Sequence, residues 1–488
     1  MALAVLVLAL AALADLRLTA TTAGITILPA ADARAGLAAS AAPSDERGVA
    51  LAPLPPETDL VLVVPAAGLD AAALRAGLRD LGVDSLPGRA DDAAVRVPAT
   101  GDAAALGERI AASGLARAVE PDAVVRAHRA PEEPLYADRQ TPYLDIVNAE
   151  RAWEVETGSP DVLIAVVDSG VSYTHPDLTE RIHYNAADIP FNGRDDDDNG
   201  CVDDFAGCNF VSLTTADPSC DYTHEPPHWR ASDDEGHGSF VTGIAAAAGE
   251  NEVGIAGVAW DARILPVKVL DCTATGRVAD AAAGIRYAAR MGADVINVSF
   301  GAPNDSVVLR EAVEEAQASG AVVVASAGND GRRGITYPAA YPGVVSVAAS
   351  GFETANGIDY RTLAPFANFG EVEVMAPGVE VWSTIPDELC GVIWACVDGP
   401  YAVAGGSSFA TPMVSGTVAL LRAQHPHASP ALIRALLLGT LQPPIPAPEA
   451  RAAGLLDIGA ALERPVFGVG LPGASRATDG GPSPLGAP

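Results

Sequence analysis

Three short stretches hold the residue types that acyl transfer needs. "VVDSGV" closes an apolar run on Asp168, "DDEGHGSFVTG" sets His237 between two glycines, and "AVAGGSSFATPMVSG" places Ser407 and Ser408 after a glycine pair. A serine hydroxyl is a weak nucleophile until a base takes its proton; a histidine can take it, and a carboxylate can hold the imidazole tautomer and stabilise the imidazolium. Each residue alone has a plainer reading: a turn aspartate, a structural histidine, an N-cap serine. A second kind of chemistry is written in "FNGRDDDDNGCVDDFAGC". There Asp195, Asp197 and Asn199 alternate and Gly200 follows, as in the first half of a calcium loop. Position twelve is Ala206, so Asp203 or Asp204 would have to replace the usual glutamate. The competing reading is a solvated acidic face.

The elements that must position these residues follow from periodicity. From about Pro131 to Arg464, continuously apolar runs such as "DVLIAVVD", "ARILPVKVL", "ADVINVSF" and "GAVVVASAG" alternate with helical patterns such as "VADAAAGIRYAARMG". Strands buried on both faces look like this, so the fold class is α/β: a doubly wound, mostly parallel sheet with helices on both faces. In such sheets ligands gather at the carboxyl ends of the strands. Ahead of it, residues 57–130 read as a small α+β unit with two helices on an antiparallel sheet, a ferredoxin-like pattern, with a further short strand expected before "AVRVP".

Composition bounds the rest. A formal charge of −32 excludes nucleic acid as a partner and gives the chain an appetite for cations. "MALAVLVLALAALADL" is the length of a secretory h-region, with small residues at Ala31 to Ala35 for cleavage, so residues 1–35 are expected to be a signal peptide. The missing basic n-region leaves an uncleaved anchor as the alternative. Residues 36–56 read as a Pro/Ala-rich linker and 465–488 as a disordered tail. Six cysteines suit an oxidising compartment; Cys201/Cys208, Cys390/Cys396 and Cys220/Cys272 are the expected pairs.

Asp168, His237 and Ser408, in that order on such a sheet, resemble the three active-site signatures of the subtilisin-like serine peptidase family. The match spans roughly Pro131 to Arg464, and the Phe-Ala-Thr-Pro after the second serine makes Ser408, not Ser407, the nucleophile. The resemblance implies a serine endopeptidase acting on polypeptides as a monomer, with Asn329 of "SAGND" donating to the oxyanion. It further implies that Ser299, Phe300 and Gly301, with Gly276 on the opposite edge, line the cleft for an extended peptide. A calcium site is implied from Asp177, the Asn251 side chain and the carbonyls of Val253 and Ile255. Residues 57–130 resemble the family's inhibitory propeptide, which acts as an intramolecular partner until self-cleavage between His128 and Gln140. Ser239, Phe240, Ser407 and Phe409 depart from the usual residues but keep their size. Two rivals remain: a peptide ligase or cyclase using the same acyl-enzyme, and a non-catalytic binding module on this scaffold.

Overall fold

The computed structural model describes residues 17–21, 24–28, 50–51, 60–122 apart from 90 and 100–102, and 130–464 apart from 213–219, 221–229, 356 and 444–453. The apolar segment 1–16, the expected cleavage site at 31–35, His128 and the tail 465–488 lie outside the described residues. The chain divides into two units, Met1–Val125 and Arg126–Pro488.

In the first unit, β1 (Arg17–Thr21) and β2 (Gly24–Leu28) form an antiparallel hairpin. A separate sheet takes β3 (Ala50–Leu51), β4 (Leu60–Pro65), β5 (Val95–Pro98) and β6 (Ala116–Pro121) in the order β3-β6-β4-β5, with β4 antiparallel to both neighbours. Helices α1 (Ala71–Asp80) and α2 (Ala103–Ala112) join them. Alternation buries Val61, Val63, Val95 and Val97 with Leu74, Leu78 and Ile110 in one core. Asp70 starts α1 by accepting the Ala73 N–H at 2.7 Å. The short strand expected between α1 and β5 is absent among the described residues. "LPG" at Leu86–Gly88 breaks the run, and the loop is tied by Arg75 to Asp92 and to the Arg89 carbonyl, each at 2.7 Å. Ala50–Leu51, from the stretch read as a linker, pairs with the other edge instead.

The second unit is built on the strands β7 (Leu163–Asp168), β8 (Cys208–Asn209), β9 (Arg263–Lys268), β10 (Val295–Val298), β11 (Val322–Ser326), β12 (Val345–Thr354), β13 (Gly357–Leu363) and β14 (Val374–Pro377). They form one sheet in the order β13-β12-β11-β10-β7-β9-β8, with β14 also on β12; only the β12/β13 pair is antiparallel. The period of two divides side chains between the faces: Ile164, Val166, Val322 and Val324 enter one core, while Leu163, Ala165, Val167, Val323 and Ala325 enter the other. The first core is covered by α3 (His237–Ala246) and α6 (Ser407–Gln424), and the second by α4 (Val278–Arg290) and α5 (Val307–Ala318). A hairpin of β15 (Val381–Thr384) and β16 (Tyr401–Ala404) leads into α6. All three expected cysteine pairs form: Cys201–Cys208, Cys220–Cys272 and Cys390–Cys396.

The chain leaves β7 and later returns on both of its sides, through β9 and β10. The crevice at such a topological switch point is where an open α/β sheet binds ligands. Asp168 is the last residue of β7.

Candidate active site

Asp168 is fully buried, and its Oδ1 accepts from the Ser169 N–H and from His237 Nδ1, both at 2.7 Å. His237 is the first residue of α3, so its backbone N–H is one of the donors a helix start leaves unpaired. Acidic side chains take these donors. Glu235 Oε2 accepts from His237 N at 2.8 Å; Asp233 accepts from Gly236 N at 2.8 Å and, through its other oxygen, from Ser239 N at 2.8 Å. Ser169 links the two ends, its Oγ donating to Asp233 and accepting from Gly238 N, each at 2.8 Å. Gly238 is demanded by packing, because a Cβ there would lie 2.0 Å from the Gly170 carbonyl oxygen.

The electrostatics follow from this crowd of carboxylates. Burial pulls the His237 pKa down, but the Asp168 charge and hydrogen bond, with Glu235 and Asp233 behind them, overcome it and raise the value to about 9. Lys268, the chain's single lysine, is buried beside the same strand end, donating to the Ser169 carbonyl at 2.5 Å and to Asp234 at 2.6 Å. It anchors the turn after Asp168. Its position in "ARILPVKVL", a charge inside an apolar run, was the available signal for this role.

Ser408 is the second residue of α6, half-buried, with its Oγ donating to the Ser299 carbonyl at 2.8 Å. No hydrogen bond joins it to His237 among the described residues; Phe409 lies against the imidazole, ring centres 5.4 Å apart. The Ser299 hydroxyl returns a bond to the Ser408 carbonyl at 2.8 Å, and Asn297 bridges Ser299 to Ser415, lacing β10 to α6. Asn329 is exposed just past β11, and its Oδ1 accepts from Ser407 N at 2.8 Å. That bond fixes the amide and leaves Nδ2 as the outward donor, 3.4 Å from where a Cβ on Gly406 would sit. Ser407 itself holds the loop, accepting from Gly328 N at 3.2 Å.

Of the residues expected to line a peptide cleft, Gly276, Phe300 and Gly301 line a cavity of about 240 Å³ with Val269, Leu270, Arg277 and Leu309, whereas Ser299 is not in its lining. Gly276 and Gly301 serve close approach within the chain: a Cβ on the first would meet the Val269 oxygen at 2.4 Å, and one on the second would meet Thr336 Oγ1 at 2.2 Å.

Of the ligands expected in the acidic run, Asp197 and Asp204 do meet in a carboxylate cluster, while others are engaged within the chain. Asp195 is a turn closer, accepting from Asn199 N at 3.0 Å and Gly200 N at 2.8 Å. Asp203 accepts from Asn192 N and Gly193 N, and Asn199 turns its amide nitrogen toward Asp197 and Asp204. The carboxylates that do converge are Asp188, Asp197 and Asp204, with candidate ligand atoms within 4.8 Å of one another. Asp188 is buried, its Oδ1 has no partner, and burial with the neighbouring Asp204 raises its pKa to about 6. It stands outside the acidic run, which is why the run alone did not reveal it. At the other site Asp177 and Asn251 meet, but Asp177 accepts from Asn251 Nδ2 at 3.1 Å, Ile255 N at 3.1 Å and Tyr401 Oη at 2.9 Å, while Asn251 Oδ1 takes Val253 N at 2.9 Å. The missed residue is Glu133, buried, accepting from Asn251 N at 3.2 Å and with its Oε2 unpartnered. Burial raises the pKa of Glu133 and lifts that of Asp177 to about 6. Two sets of buried or half-buried carboxylates, each with an orphaned oxygen, fit a hard cation that would neutralise them.

A Subtilase family model matches residues 159–464. The chain is 38% identical over 275 residues to a thermophilic serine proteinase of Bacillus sp. (strain AK1), covering 56% of this chain and 55% of that protein. It is 36% identical over 289 residues to subtilisin NAT of Bacillus subtilis subsp. natto, covering 58% and 61%. Halolysin of Haloferax mediterranei is 34% identical over 325 residues, covering 66% and 52%. The chain thus spans between half and two thirds of the length of these relatives. Among solved structures, a protease from Pseudoalteromonas arctica aligns with a TM-score of 0.54 at 27% identity, over 68% of this chain and 99% of that one.

Proposed function

Since the chain belongs to the subtilase family, we propose that it is a secreted serine endopeptidase made as a zymogen. The observation that carries this reading is the 2.7 Å pair of buried Asp168 and His237 at the switch point, beside the helix start that holds Ser408. His237 Nε2 takes the Ser408 proton as Oγ bonds to the substrate carbonyl carbon. The oxyanion then takes the Asn329 amide and the Ser408 backbone N–H, a helix-start donor with no intrahelical partner. As the C–N bond breaks, the imidazolium returns its proton to the leaving amine. Water repeats the sequence on the acyl-enzyme, with Asp168 holding the imidazole throughout.

Substrate adds as a strand along Ser299–Gly301 and Cys272–Gly276, with backbone bonds for affinity and the cavity beside Phe300 for an apolar side chain. Calcium would be structural: Asp188, Asp197 and Asp204 would hold one ion, and Glu133 with Asp177 a second, each ion replacing carboxylate repulsion with neutralisation. Residues 57–130 act as the inhibitory propeptide, most of them in the first of the two units. Glu133, Tyr136 and Gln140 are buried in the second unit, and the Gln140 amide is paired with Ala256 at 2.8 and 2.9 Å, so processing falls between residues 128 and 132.

Labelling by a serine-directed fluorophosphonate, lost in Ser408→Ala and His237→Ala, tests the catalytic assignment; labelling retained in His237→Ala refutes it. Ser408→Ala protein in a protease-free host should stay full-length, and normal processing there would remove self-cleavage from the scheme. Mass spectrometry of a peptide-library digest separates hydrolysis from ligation.

A further inference from the structure

The loop between β15 and β16 is closed by the Cys390–Cys396 disulfide and runs into the helix that carries Ser408. Its tip faces solvent, with Val392 at 77% and Ile393 at 53% exposure, so the tip is not what fastens it. Its inward anchor is Trp394. The indole Nε1 donates to the Glu235 carbonyl at 2.8 Å, two residues before the base. Its face stacks on Phe240, three residues after the base, with centres 5.5 Å apart and planes at 25°. Between these grips lies Gly236 at φ +103°, where a Cβ would sit 2.4 Å from the indole nitrogen. The contact is made to backbone that admits no side chain.

From these contacts we propose that Trp394 is a positioning residue for the His237 base, held in register by the disulfide-closed loop. This rests on the serine peptidase reading above. The coupling has a physical route. The indole fixes the Glu235 carbonyl, the Glu235 carboxylate holds His237 N at 2.8 Å, and His237 meets Asp168 at 2.7 Å. A second route runs through Phe240 to Phe409, centres 4.4 Å apart, the residue that follows the nucleophile and lies against the imidazole. One side chain therefore braces the base and the neighbour of the nucleophile together. A misplacement of about 1 Å in such a constellation costs about 100-fold in rate.

The test uses the processed wild type, Trp394→Phe, Trp394→Ala and the Cys390→Ser/Cys396→Ser pair. It measures kcat and KM on a chromogenic peptide per fluorophosphonate-titrated site, the pH midpoint of kcat/KM, and Tm. Trp394→Ala is expected to lower kcat per site about 10- to 100-fold with KM within about twofold, and to move the pH midpoint down as the His237–Asp168 contact loosens. Trp394→Phe keeps the stacking and loses the N–H, and should fall between. The double serine variant should follow Trp394→Ala. A lower Tm with unchanged kcat per site and unchanged pH midpoint overturns the proposal and makes Trp394 a packing residue. If Trp394→Ala does not fold, Trp394→Phe decides by the same criteria. A wild type that neither labels nor hydrolyses the peptide instead overturns the peptidase reading on which the proposal stands.

Discussion

Replacing Asp168 by Asn keeps the shape of the pair and removes its charge. At the 2.7 Å contact, a unit charge in an effective dielectric of about 20 attracts an imidazolium by about 6 kcal/mol. The rise of the His237 pKa from 6.5 to about 9 amounts to about 3 kcal/mol, the net of burial, the largest cause and a lowering one, against the Asp168 charge and hydrogen bond with Glu235 and Asp233 behind them. In the wild type, the base is neutral in only about one molecule in a hundred at pH 7 if its pKa is 9. Then kcat/KM should climb about tenfold per pH unit up to pH 9. In Asp168→Asn, burial is left facing only the weaker pull of Glu235 and Asp233. The break should move down by two pH units or more, and the plateau should fall about 10⁴-fold because the wrong tautomer is held. Stability runs the other way: a pKa raised on folding contributes its full stabilisation below pH 6.5 and loses it as pH rises through about 9. Activity is thus expected to be highest where this pair stabilises the fold least. The assay is a pH–rate profile on a peptide substrate with active-site titration at each pH. A wild-type break at pH 7 or below would refute the reasoning, since the carboxylate cluster would then not govern the base.

Further expectations follow from the same geometry. Asn329→Ala should lower kcat about 10²- to 10³-fold with KM little changed, read by steady-state kinetics. Chelation should lower the Tm of wild type and of Asp195→Asn alike, whereas Asp188→Asn should start lower and respond less, because the run's first aspartate closes a turn and Asp188 faces the cluster. The two proposed cation sites should bind calcium progressively more weakly as pH falls below about 6, since Asp177 and Asp188 without an ion have pKa values raised to about 6 and protonation there competes with it. The Tm gain from added calcium, measured from pH 8 to pH 5, checks this. Gly238→Ala should abolish labelling by fluorophosphonate, its methyl group driving the Gly170 turn away from Asp168.

Much of the second unit was legible because its signals are local. A strand buried on both faces must be apolar along its whole length, so β7, β9, β10 and β11 were readable one by one, and Asp168, His237 and Ser408 mark the ends and starts of elements. The small unit was harder. Its two-residue strand at Ala50–Leu51 is too short to carry a period, and the loop after α1 is held by Arg75 and Asp92, not by a ladder.

By itself, the sequence determined the family and the chain order of Asp168, His237 and Ser408, because both depend on residue type and spacing; it suggested the three cysteine pairs, which the fold then makes. Tertiary structure alone decided which oxygens meet. Asp188 lies just ahead of the acidic run and Glu133 far from the Asn251 segment, and only folding turns their unpartnered oxygens inward. The same holds for Trp394, whose hydrogen bond to Glu235 spans 159 residues of chain. Desolvation and charge proximity are properties of space, and they set the pKa of His237, which no spacing along the chain could supply.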